Sequence, residues 1–252
     1  MAKPAAAKEE LYLYAIVGAS CADRFDVSGL DGGEVYAIPA GPVSAAVSRL
    51  RNGKLRPERR HLAAHENVLR HLLEKTSVLP MRFGITASCP KAIEKILSRN
   101  RQTLLEQLRR VAGKKEMGLR VTWDVPNIFE YFVNTHEDLR AARDRLVGMQ
   151  RLPTQEDKIE LGRMFDQALQ RDREAHAAQV EAALSPFCAE IMRVKCRNEY
   201  EVMNLACLVA GDSLANFEAD VFQAAAMFDN NFAFDYNGPW APHNFVDVDL
   251  AL

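Results

Sequence analysis

Apolar residues recur along the chain with two periods. Residues 11–17 (LYLYAIV) form an almost wholly apolar run that reads as a strand, with Tyr12 and Tyr14 on one face and Leu11 and Leu13 on the other. The glycine-bearing stretch 18–33 reads as a loop. Residues 34–38 and 42–48 read as two strands joined by a tight turn at Pro39, Ala40 and Gly41. Leu62, Leu69, Leu72 and Leu73 then mark the apolar face of a helix over 57–75, with Pro57 suited to its first turn. A short strand at 78–81 follows, then a helix over 90–111 begun by Pro90 and stopped near Gly113.

The second half predicts a strand at 119–124 and a helix at 127–146. A break at 148–153 leads to a helix over 154–184, for which Thr154 and Asp157 form a capping box. Strands at 189–196 and 200–210, a helix capped by Asp212 or Ser213 through Met227, and a closing strand at 232–236 complete it. The order is that of a split βαβ, ferredoxin-like domain with one extra long helix. The first half follows the same plan with its first helix reduced to a loop. The fold class expected is therefore α+β, with two tandem modified ferredoxin-like domains, 1–117 and 118–252, meeting near 114–119, where Lys114 and Lys115 would be open to proteases, as would the loop at 148–156. A helix over 154–184 would span ~45 Å at 1.5 Å per residue, against ~23 Å for a seven-residue strand. Unless Gly162 kinks it, it overhangs its sheet and can pair with the 127–146 helix as a projecting helical hairpin.

Charge adds an asymmetry that the net value of −2 hides. Residues 1–117 hold 20 Lys and Arg against 12 Asp and Glu, and residues 118–252 hold 12 against 22. The two halves thus present opposite surfaces, which bears on association rather than on fold. With 252 residues, 48% apolar and 26% charged, the chain falls in the ordinary globular range. No apolar run approaches the ~20 residues of a membrane helix, and residues 1–10 lack a secretory apolar region. Five cysteines, at 21, 89, 188, 196 and 207, form no CxxC pair, so reduced thiols and a cytoplasmic location are expected.

Candidate chemistry is sparse. His61 and His65 are four apart on one helix, a metal-ligand spacing, but Leu62 stands where a zinc protease has its glutamate and no third ligand is evident. A packed, hydrogen-bonded histidine on the stripe of Leu62 and Leu69 is the plainer reading. Cys188, Cys196 and Cys207 fall in or near strands without an adjacent base, and the glycines form no phosphate-binding loop. Six cations in residues 49–60 (RLRNGKLRPERR), beside Tyr12 and Tyr14 on a ferredoxin-like sheet, open an alternative: an RNA-binding module using the basic half. Residues 78–85 (VLPMRFGI) and 238–246 (GPWAPHNFV) read as structural punctuation. Pro239 and Pro242 flank Trp240, which with Phe245 is expected to form a buried aromatic clamp.

Those two strings, with LYLYAIV at 11–17, AHENVL at 64–69 and MNLACLV at 203–209, resemble in order the gas vesicle accessory proteins of the F and L type, over essentially the whole chain. The residues that carry the motif are Leu79, Pro80, Arg82, Phe83 and Gly84, and Gly238, Pro239, Trp240, Pro242, Asn244 and Phe245. The family more often reads GPWPPYNF, so Ala241 and His243 depart from it, as does Ile85 where it tends to have threonine. The resemblance implies a two-domain α+β protein that is not an enzyme; the lack of a third ligand near His61 and His65 and of paired cysteines separately predicts no metal and no catalytic cofactor. The resemblance further implies binding to the small hydrophobic gas vesicle shell protein (GvpA type) and to other accessory proteins, in the cytoplasm and at the gas vesicle, with no nucleic acid or lipid membrane as partner.

Overall fold

A computed structural model describes residues 10–19, 23–50, 55–148 and 151–247. It is a mixed helix-and-sheet structure in two compact units, Met1–Glu116 with Pro239–Leu252, and Met117–Gly238.

The first unit is built on β1 (Glu10–Gly18), an apolar run buried at every position from 11 to 17. Strands β2 (Arg24–Ser28), β3 (Glu34–Ala40) and β4 (Val43–Leu50) extend the sheet on one side of it. After α1 (Arg59–Lys75), the short strands β5 (Val78–Pro80) and β6 (Thr86–Ala87) pair with β1 on its other side. The order is β2-β3-β4-β1-β5, with β6 also on β1. The β1–β4 register slips between Leu13 and Ala15, leaving Tyr14 as the extra residue. The bulge brings Tyr12, Tyr14, Ala15 and Val17 into one core cluster with Val68, Leu69 and Leu72 of α1.

The 18–33 segment is more than a loop. Phe25 and Val27 alternate with the exposed Arg24 and Asp26, and this short run pairs with β3. Five residues at a sheet edge between glycines carry too little pattern to be read as a strand beforehand. The buried face of α1 is His61, His65, Val68, Leu69, Leu72 and Leu73, while Leu62 is 41% exposed. The expected face therefore holds at Leu69, Leu72, Leu73 and His65, and its first turn is buried through His61 instead of Leu62. The helix expected over 90–111 is two, α2 (Pro90–Arg99) and α3 (Arg101–Arg110), separated by Asn100 at φ −99°, ψ 11°. The Asn100 amide donates to the Ile96 carbonyl at 2.9 Å, closing the first helix from its own side chain. These two helices lie against β1, β3 and β4 and bury Ile93, Leu97, Leu104 and Leu108.

The second unit uses β7 (Lys114–Trp123), β8 (Glu190–Val194), β9 (Glu201–Ala210) and β10 (Phe232–Trp240), in the order β10-β7-β9-β8. Lys114 and Lys115 lie within β7, so the segment expected to be a protease-sensitive junction is strand. Residues 239–247 belong with the first unit, where the sequence assigned them to the second. Their aromatic and proline content looks the same whichever core receives it.

The helix expected over 127–146 is also two, α4 (Ile128–Thr135) and α5 (Glu137–Val147), with His136 extended between them at φ −115°, ψ 115°. Arg140 of α5 donates to the carbonyls of Val133 and Asn134, supplying the end of α4 with the partners a continued helix would have given. Then α6 (Gln155–Leu184) runs through Gly162 without interruption for 30 residues, ~45 Å. Its capping box is formed: Thr154 Oγ1 accepts from the Asp157 amide at 3.2 Å, and Asp157 accepts from the Thr154 amide at 2.7 Å. Its buried residues are Ala168, Leu169, Ala177, Val180 and Leu184, so nothing before position 168 is buried. That first stretch runs along α5 with Leu161, Met164 and Phe165 half-buried. Ser213 precedes α7 (Leu214–Ala225) but makes no side-chain cap bond. Among the described residues no helix is long and apolar enough to cross a membrane.

Candidate functional site

The motif residues converge on the bulged part of β1. Tyr12 and Tyr14 carry their hydroxyls into the first core at 0% exposure. The Tyr12 hydroxyl accepts from the Gly84 amide at 3.2 Å and meets Nδ1 of His65 at 2.8 Å. A hydroxyl already accepting donates its own proton to Nδ1, which leaves the imidazole proton on Nε2. Nε2 is buried without a hydrogen bond of good geometry among the described residues, the Met81 backbone being the polar group that faces the ring and opposes its fall in pKa. Burial, with a smaller contribution from the His243 imidazole, pushes the His65 pKa down to about 4, so the ring is neutral at pH 7. Burial likewise pushes both tyrosine hydroxyls up and keeps them protonated. Tyr14 Oη accepts from the Leu30 amide at 2.7 Å and shares a 2.8 Å hydrogen bond with Ser48 Oγ. The rings close on one another. Tyr12 and Tyr14 meet edge to face at 4.8 Å, and Phe83 packs on Tyr12 at 5.9 Å and on His65 at 5.8 Å.

The string 78–85 runs along β1. Leu79 and Pro80 are buried and pair with Ile16 and Ala15. The Met81 amide donates to the Tyr14 carbonyl at 2.9 Å, and the Ile85 carbonyl accepts from the Leu13 amide at 3.0 Å. Arg82 points to solvent. Gly84 has φ +100°, which disfavours any other residue, and that turn presents its amide to Tyr12. Gly29 meets a different demand: a Cβ there would lie 2.3 Å from the Tyr14 hydroxyl oxygen.

The C-terminal string reaches the same unit. Gly238, Pro239 and Trp240 end β10, Ala241, Pro242 and Phe245 are buried, and residues His243–Phe245 form a 3-10 turn. Ala241 belongs to the Tyr12 core cluster. The Asn244 amide and side-chain Nδ2 donate to the two carboxylate oxygens of Glu116, at 2.9 and 2.6 Å. Burial pushes the Glu116 carboxyl up against these two hydrogen bonds. The clamp differs from expectation in its anchor: Phe245 is 1% exposed, whereas Trp240 is only half-buried.

The two histidines do not share a ligand position. His61 Nδ1 donates to the Arg56 carbonyl at 2.9 Å and Nε2 lies 3.2 Å from Asp31 Oδ1. The hydrogen bond to Arg56, ahead of Asp31, raises its pKa. The RNA-binding alternative fails on the same geometry, because tyrosines sealed in the core offer no face to a base. Of the basic stretch, residues 51–54 lie outside the described residues, and Arg60 pairs with Glu58 at 2.8 Å. Cys21 also lies outside them. Cys207 is buried and hydrogen-bonded to Cys188, whose pKa that contact lowers, and Cys196 bonds the Val202 carbonyl at 3.8 Å. The partnership of Tyr12 with His65, Gly84 and Phe83 has one trace in the sequence, the placing of His65 on the apolar stripe. That of Glu116 with Asn244, 128 residues apart, has none.

This architecture is shared with known proteins. The family described as Gas vesicle synthesis protein GvpL/GvpF matches residues 10–247. Gas vesicle protein F of Dolichospermum flosaquae is 26% identical over 242 residues, covering 95% of this chain and 98% of that one. Gas vesicle protein F of Streptomyces sp. is 29% identical over 217 residues, covering 84% and 88%. The crystal structure of GvpF from Anabaena sp. superposes with a TM-score of 0.83 at 24% identity, covering 96% of this chain and 99% of that one. That of GvpF from Microcystis aeruginosa gives 0.82 at 22%, covering 95% and 99%.

Proposed function

Because the chain belongs to the gas vesicle GvpL/GvpF family, we propose that it is a non-enzymatic assembly factor. It binds the small hydrophobic shell protein and other accessory proteins while vesicles form in the cytoplasm. The observation that carries this is the family match from residue 10 to 247, which leaves neither unit outside the likeness. The placing of the motif residues supports it. Leu79, Pro80, Phe83, Gly84, Pro242, Asn244 and Phe245 hold the first unit together rather than surrounding an open pocket, so they act as structure and leave binding to the surface. An apolar subunit needs its surface covered before assembly, since exposed patches associate nonspecifically.

The two units are read as a modified ferredoxin-like domain closed by residues 239–247 and a ferredoxin-like domain with a helical hairpin of α5 and α6. The strand order β10-β7-β9-β8 supports the second assignment. Deleting the gene while the shell protein is still expressed tests the function. Loss of buoyant vesicles is expected, and normal vesicles would overturn the assembly role. Co-purification with the shell protein is expected too, and its failure would overturn direct contact alone.

A further inference from the structure

The first unit carries a cleft of ≈ 530 Å³ that the motif residues do not enter. Among its lining residues Phe25, Leu105, Leu108 and Ala112 are apolar, and Phe25 and Leu108 are buried. Three cations, Arg24, Lys75 and Arg109, line it as well, and all three are exposed. No carboxylate lines it among the described residues. Arg24 is paired with Glu34 at 2.6 Å, while Lys75 and Arg109 have no ion-pair partner among the described residues. Two clefts of the second unit, ≈ 510 and ≈ 200 Å³, differ in kind. Each has Glu160 and Asp157 in its lining together with an arginine, so each brings both signs of charge.

We propose that the first unit's cleft is the docking site for a segment of a partner protein in which a large apolar side chain is bracketed by carboxylates. The apolar floor gains from being covered. Cations around a floor that is being covered lose water, and a carboxylate brought with the apolar group replaces it by charge-assisted hydrogen bonds. A basic segment meets like charge and is rejected. The charged groups are exposed at the edge, while Phe25 and Leu108 are buried and Leu105 half-buried beneath them, which is the plan of a side-chain anchor with a polar rim. A small-molecule pocket instead has polar groups converging on its floor. The wider field acts in the same sense, since the first unit holds 20 Lys and Arg against 14 Asp and Glu and the second 12 against 20. A second copy of this chain is the rival occupant, because Phe222 is 63% exposed on α7 beside the exposed Glu218.

The test uses the full chain and fluorescence anisotropy with two short labelled helical peptides. Both carry one Phe/Leu face, flanked by Glu in one and by Lys in the other. The Glu peptide is expected to bind about ten-fold tighter, the scale of one charge-assisted contact, and to weaken as salt rises. K75E/R109E should reverse the preference, L105D should abolish binding of both, and R145E/R163E in the second unit should change nothing. The K75E/R109E variant changes only exposed positions, so it reads the cleft even where L105D fails to fold. Equal binding of the two peptides, or a preference unmoved by K75E/R109E, overturns the proposal. Self-association that rises with concentration and is lost in L105D gives the cleft to a second copy and overturns it as well. No vesicle component is present, so failure here is separable from failure of the shell-binding reading.

Discussion

The fully buried tyrosines of the first unit, Tyr12 and Tyr14, bring hydroxyls into its core beside His65 and Ser48, whereas the fully buried aromatics of the second unit's core, Phe132 and Phe217, bring none. In the second unit the polar partners of the core rings lie at its margin, Phe132 stacking on His136 at 5.0 Å and Arg173 lying 6.0 Å from the Trp123 ring, while the buried Trp123 Nε1 has no hydrogen-bond partner among the described residues. The difference decides what each core tolerates. An apolar core accepts another packing of similar volume. A hydrogen-bonded core demands a particular atom at each place, because an unpaired buried group loses its full solvation. Both strings singled out in the sequence, 78–85 and 238–246, contribute to the hydrogen-bonded core, which accounts for their unusual composition.

The comparison breaks first at the largest side chains. Phe132→Ala is expected to lower stability by about 3–5 kcal/mol through lost burial and a cavity, and Phe245→Ala by a similar amount in the first unit. Trp240→Ala should cost clearly less than Phe245→Ala, since Trp240 is half-buried. Equal losses in thermal or denaturant unfolding would show that the tryptophan is the anchor after all.

Acid should weaken the first unit through His65, and the second through His176, whose pKa burial also lowers. The folded-state pKa of His65, about 4, lies below its ordinary 6.5. The unfolded chain therefore takes up the proton first, and stability is complete above about pH 6.5 and falls as the pH drops towards 4. At about 1.4 kcal/mol per unit, the loss approaches ~3 kcal/mol. His61, with a raised pKa, works in the opposite direction and gains on acidification. Comparing the pH dependence of the wild type with His65→Leu isolates the one ring. An unchanged slope between pH 6.5 and 4 would mean that the imidazole is hydrated.

A smaller effect sharpens the contrast. Tyr12→Phe keeps the ring and removes the oxygen that serves both His65 and Gly84, so about 1–3 kcal/mol is expected. Phe129→Leu in the second unit, where no hydroxyl is involved, should cost less than Tyr12→Phe. The reverse order would mean that the hydrogen bonds contribute little.

What the sequence revealed follows the range of the forces. The capping box at Thr154 and Asp157, the strand at 11–17 and the Pro90 helix start were legible because each is decided within a few residues. The breaks at Asn100 and His136 were not, since no proline or glycine marks them and the deciding partner of the second, Arg140, acts back across the gap. The strand β2 was hidden by its brevity. The return of residues 239–247 to the first unit was hidden because Asn244 finds Glu116 only after the chain has folded. Of the motif residues, their importance was legible and their partners were not.

The smallest effect concerns the start of α6, which resembles neither core. Thr154→Ala removes the acceptor of the Asp157 amide and leaves the Asp157 carboxylate bound to the Thr154 amide and, at 2.5 Å, to Arg151. Half the capping box therefore survives, and a loss of about 1 kcal/mol is expected. That loss should be local. Residues 155–160 of α6 are not buried, and its first residue packed on the core is Leu161, so the first turns can open without exposing either core, and opening of such a segment is governed by its own free energy. Amide hydrogen exchange at 156–160 should quicken about five-fold, as about 1 kcal/mol requires, while exchange in β7 and β9 stays unchanged. Equal acceleration in the strands would show that the start of α6 unfolds only with the whole second unit.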